Sequence, residues 1–168
     1  VTAVLLNFRA YDTLLEIGVL LLVIVGAWSF GKAPSNHPKQ KFSPVLFAMV
    51  RIVVPLMILI AGYMLWVGGH APGGAFQAGA ILGAAGVFWL VTGPSTGKPK
   101  AFWVFRLLLI AGFSVFLCIA FVVMLAENNF IQSPSDWASS LILCIEAAAA
   151  LSIGATLAAL FLGGRPRD

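Results

Sequence analysis

Five apolar runs separated by short polar connections set the plan of the chain. They cover about residues 10–30, 44–66, 75–92, 102–126 and 138–162. Each is close to the roughly 20 residues that a helix needs to cross the hydrocarbon core of a bilayer. The pattern predicts an all-α integral membrane protein with about five transmembrane helices. No polar stretch is long enough to hold a soluble core. The second and third runs are joined by Gly68-Gly69-His70-Ala71-Pro72-Gly73-Gly74-Ala75-Phe76-Gln77-Ala78-Gly79. Its glycines permit positive φ values and a sharp reversal. Pro72 suits the first turn of the following helix, where its missing N–H costs nothing. We expect a tight hairpin there, at or near one face of the membrane, built on Pro72, Gly73, Gly74 and Gly79.

Composition agrees with the pattern. Hydrophobic residues make up 61% and charged residues 10%, against about 45–50% and about 25% in soluble domains. The net charge of +4 is segregated into connections, so it is a topology signal and not a nucleic-acid footprint. Lys32, Lys39 and Lys41 lie in 31–43, Lys98 and Lys100 in 93–101, and Arg165 and Arg167 in the tail. The other two connections hold no Lys or Arg: 67–74 has His70, and 127–137 has Glu127 and Asp136. The positive-inside rule then places the tail in the cytoplasm and the N-terminus outside. Arg9 runs against this rule and is expected at the headgroups. The first run lacks a small-residue cleavage site after it, so it reads as a span and not a signal peptide. Cys118 and Cys144 fall inside apolar runs and are expected to pack against other helices, without a disulfide or a metal.

Small residues form stripes along two runs. Ala75, Gly79 and Gly83 recur at every fourth position, as do Ala150, Gly154 and Ala158. Such stripes let helices approach closely in lipid. Pro55 removes the helical partner of the Arg51 carbonyl and predicts a kink. Trp28, Trp66, Trp103 and Trp137 lie near run ends, where aromatic belts form.

Ionisable groups inside the runs are the candidates for chemistry, because each is costly in lipid unless paired or hydrated. Glu16 lies about six residues into the first run and Glu146 about eight into the fifth, roughly 9 and 12 Å deep at 1.5 Å per residue. With the orientation above, both are in the outer half, and His70 is at the outer end of the hairpin. Glu146 continues the stripe of Ala150, Gly154 and Ala158, so it should face a helix. Arg9, Asp12 or Thr13, and Glu16 share one helical face. Arg51 and Arg106 lie in the inner halves of their runs, positioned to snorkel or to pair with acids of partner subunits. Glu16 and Glu146, with Asp12 and His70, read as groups that pass protons or hold cations. The bland alternative is a static partner of an Arg or of the backbone for each acid, and a turn-holding hydrogen bond for His70. The hairpin lacks the Gly-Lys-Ser/Thr ending of a phosphate loop, and no Ser/His/Asp set or metal-ligand spacing occurs. No cofactor is expected, and a self-contained enzyme is not indicated.

At the hairpin, Gly69-His70-Ala71-Pro72-Gly73-Gly74-Ala75-Phe76-Gln77-Ala78-Gly79 resembles the G-H-N-A-P-G-G-G-F-x-A-G signature of the B subunit of Mrp-type (MnhB-like) multisubunit Na+/H+ antiporters. The Asn after His is missing, and Ala75 stands for the third Gly. Arg51 and Pro55 upstream and Ile145-Glu146 downstream fit the same family, over about residues 44–162. Phe8-Arg9-Ala10-Tyr11-Asp12-Thr13-Leu14-Leu15-Glu16-Ile17 resembles the F-R-x-x-D-T-L-G-E-I motif near the end of the Mrp A subunit, with Leu15 for Gly and Glu16 on the motif's acid. The resemblance implies an A-subunit-like helix and cytoplasmic loop over 1–43, followed by a four-helix MnhB-like domain over 44–168. It implies a multi-pass protein of the prokaryotic cell membrane. Its expected partners are other antiporter subunits, including large ones related to complex I, with Na+ and H+ as the transported ions. The same helices fit a redox-driven relative such as a membrane-bound hydrogenase, which a neighbouring metal-cluster subunit would signal. They also fit a pure scaffold, which full activity with both acids neutralised would signal.

Overall fold

In the computed structural model the described residues are 2–31, 43–68, 72–92, 100–127, 138–161 and 163. They form five α-helices and no strand: α1 Thr2–Ser29, α2 Pro44–Val67, α3 Ala75–Thr92, α4 Lys100–Glu127 and α5 Ala138–Phe161. Each carries a segment long and apolar enough to cross a membrane, as the runs predict. α2 starts on a clear signal: Ser43 caps it by accepting the Val45 N–H at 3.3 Å, and Pro44 opens the first turn. The helix continues through Pro55.

α5 is the central element and packs against all four other helices. Its small-residue stripe lies directly on that of α3. A Cβ added to Gly79 would sit 2.7 Å from Cβ of Ile153 and 3.0 Å from the carbonyl oxygen of Ala150. One added to Gly83 would meet Leu157 at 2.9 Å and the Gly154 carbonyl at 3.3 Å. Gly86 faces Ala158 in the same way. The paired positions climb together, so α3 and α5 run parallel. The α3 glycines leave room for Ala150, Ile153, Leu157 and Ala158 of α5, so the two helices gain close van der Waals contact along the seam, which is the attraction available between helices in lipid.

The opposite side of α5 holds α4. Gly112 lies against Ala148, Ala149 and Ser152, and the Ser152 hydroxyl donates to the Leu109 carbonyl at 2.6 Å. Here the numbers run in opposite senses, so α4 is antiparallel to α5. Ser152 and Thr156 are both buried. Thr156 satisfies its own hydroxyl on the Ser152 carbonyl one turn back, at 2.8 Å. α1 joins the same side through Ile17, packed in one cluster with Ala149 and Ile153, and Ile24, packed with Leu109 and Ala159. α2 packs mainly on α3 and also touches α5, with Ala61 in one cluster with Ala78 and Ala150.

Two expectations need correction. Cys118 and Cys144 are unbridged but exposed, so neither packs within this chain. Both occupy the backs of their helices, away from the α4–α5 seam. Trp28 packs inward against Ile24, Leu109 and Ala159 with its indole N–H buried, and so is no lipid-facing belt residue. Trp66 is exposed, as a belt residue would be. The side chains of Trp103 and Trp137 lie outside the described residues.

Candidate functional site

The site is built by register. Gly79 meets Ala150 across the α3–α5 seam. One turn back along both helices brings Ala75, the first residue of α3, level with Glu146. Glu146 is 9% exposed, as its place on the stripe predicts, and it has interaction partners of its own. It lies six residues inside the apolar segment Ser140–Phe161, or about 9 Å deep at 1.5 Å per residue. The start of α3 is therefore also below the end of the bundle. A helix start carries a partial positive charge and free N–H groups, which favours an anionic group at this level.

The hairpin is fixed by its glycines. The carbonyl of Met64 accepts both the Gly68 N–H at 3.1 Å and the Gly74 N–H at 3.3 Å. A Cβ on Gly68 would fall 2.7 Å from the Gly74 nitrogen, and one on Gly73 would fall 2.6 Å from the Met64 oxygen. Gly74 has φ 129, a region that side chains disfavour. Pro72 is exposed and lies three residues before Ala75, so it precedes α3 and does not open its first turn as expected.

α1 brings the second acid. Ile17 packs in one cluster with Ala149 and Ile153, so Glu16 stands about one turn further into the bundle than Glu146, and Asp12 stands near its level. Glu16 is partly buried and Asp12 is exposed. They lie on one edge of α1, flanking the face that carries Ile17. Thr13, on the same turn, is partly buried and partnered. Asp12, Glu16, Glu146 and the hairpin thus share one end of the bundle. His70 lies outside the described residues, as does the Arg9 side chain.

The candidate ion-pair residues lie elsewhere. Leu109 meets Ser152, which puts Arg106 about nine residues, or roughly 14 Å, along the bundle from Glu146. Arg51 is ten residues from Ala61 on α2, toward the end opposite the acids, and it is exposed. Among the described residues no three His, Cys, Asp or Glu come together as metal ligands. Carboxylates held at this depth suit the exchange of protons or the holding of a monovalent cation. Ser152 and Thr156 were not singled out from the sequence. Their signal was there, as hydroxyls in the middle of an apolar run.

These features define a multi-pass helical membrane protein with acids gathered at one end of its bundle. Residues 45–163 match the family described as a domain related to the MnhB subunit of Na+/H+ antiporter. That segment is most of the chain, and the chain belongs to this family. It contains α2 to α5 with Glu146, whereas Asp12 and Glu16 on α1 precede it. The chain is also similar to an uncharacterized protein of Methanocaldococcus jannaschii, 31% identical over 106 residues, covering 51% of this chain and 40% of that protein. The matched part is thus less than half the length of that relative. No solved structure matches the chain.

Proposed function

We propose that this chain is a membrane subunit of a multisubunit Na+/H+ antiporter, and that Glu146 and Glu16 are protonatable groups on its ion path. The observation that carries the reading is the burial of Glu146 on the α3–α5 seam, level with the start of α3, with Glu16 and Asp12 within about one turn. A buried acid is costly within a membrane span, and a seam of small residues closes without one, which favours a use in transport. Protons enter from the outer face through the hairpin, where His70 serves as a relay, and pass between the carboxylates as a cation takes their place. The chain works by secondary antiport, with the gradient of one ion driving the other, and it catalyses no covalent step. Its other surfaces meet the remaining subunits, among them large antiporter-like ones. The lysine-bearing connections and the C-terminus face the cytoplasm, and the N-terminus lies outside.

Glu16→Gln tests the α1 arm. In inverted vesicles holding the assembled complex, adding Na+ collapses a preformed pH gradient, and the initial rate reads antiport. The variant should slow that rate by about tenfold or more, less than the roughly hundredfold loss of a fully positioned acid–base group, because Glu16 is only partly buried. A wild-type rate in an intact complex would take Glu16 off the path.

A further inference from the structure

Resting on the multisubunit reading above, we infer that the outward face of α2 receives a transmembrane helix of a neighbouring subunit, and that this helix bears a carboxylate opposite Arg51. Only Val50 and Ala61 of α2 are buried. Arg51 is exposed and lies seven residues past Pro44, about 10 Å into the helix. The described acids Asp12, Glu16 and Glu146 lie toward the other end of the bundle, and among the described residues Arg51 has no ion-pair partner. Four residues on, exposed Pro55 has no N–H to give the Arg51 carbonyl. The Arg51 side chain and its freed carbonyl therefore belong to one exposed stretch of α2, and lipid tails satisfy neither.

The rest of the stripe suits a close neighbour. Arg51, Pro55, Leu59, Gly62 and Trp66 recur at helical spacing on this face. Nothing lies within 4 Å of a Cβ built on Gly62, so a second helix can come in tightly there. A guanidinium best matches a carboxylate, through paired N–H donors. A second copy of this chain is the wrong occupant, because a twofold contact on this face sets Arg51 near Arg51.

The test uses the complete complex in its native membrane. Benzoylphenylalanine at Leu59, itself 71% exposed, is photolysed, and adducts are mapped by mass spectrometry and normalised to the amount of this chain. The expected adduct is to an apolar segment of another subunit that contains an Asp or Glu. Arg51→Leu should lower its yield about tenfold or more, as for loss of one member of a buried charge pair. Arg51→Lys should keep most of it, and Arg51→Asp should regain it when the mapped acid becomes Arg. Adducts to lipid alone, or an unchanged yield in Arg51→Leu, would overturn the inference and leave Arg51 snorkelling to the headgroups.

Discussion

Gly79→Leu should pull α3 away from α5 and destabilise the bundle strongly. The site has no room: a Cβ alone would stand 2.7 Å from Ile153, and the next obstacle is the backbone carbonyl of Ala150 at 3.0 Å. Neither neighbour can give way. Ile153 and Ala150 are 1% and 2% exposed, and a carbonyl moves only with its helix. Overpacking of this kind costs about 1–3 kcal/mol in soluble cores, and more where backbone must shift. In lipid the loss spreads, because separating the helices at Gly79 also opens the Gly83–Gly154 and Gly86–Ala158 contacts. The check is the temperature at which the monodisperse peak disappears in mild detergent. It should fall clearly for Gly79→Leu and stay near wild type for Gly26→Leu, where nothing lies within 4 Å. Equal behaviour of the two would contradict the seam.

The second large effect is on transport. Glu146→Gln keeps the size of the side chain and a hydrogen-bond acceptor, so its neighbours remain partnered and the complex should assemble. On the proposed reading it removes the group that exchanges a proton for a cation. Antiport in inverted vesicles should fall by about a hundredfold, within the range for loss of a positioned acid–base group. Glu146→Ala should differ: it leaves a buried gap and unpartnered neighbours, and lowers assembly as well. Glu146→Asp keeps the charge on a shorter stem and should retain part of the rate. Native gels of the same membranes separate the two losses. An assembled Glu146→Gln complex that transports at the wild-type rate would leave Glu146 a packing residue.

Much of this architecture could be read from the residues. Long apolar runs leave the chain no alternative to crossing helices, since only helices satisfy the backbone within one segment in lipid. The placement of Glu146 toward a neighbour followed from its spacing to Ala150, Gly154 and Ala158. The identity of that neighbour did not follow, because stripes on two helices can pair in either sense or face other subunits. The structure joins them in parallel, and the level of Glu146 with Ala75 comes from that register alone. The inward turn of Trp28 was equally hidden, for a tryptophan near a span end looks the same whether it faces lipid or a groove between helices. The cysteines misled because an apolar position inside a span is not the same as a buried one. In lipid the outer surface is as apolar as the core.

The most direct test of the account is purification of the native complex in mild detergent through a tag on this chain, followed by mass spectrometry and assays for bound iron and flavin. The account predicts antiporter-like subunits in fixed ratio to this chain, with no cluster- or flavin-bearing protein among them. Recovery with redox-centre subunits, or of this chain by itself, would contradict it.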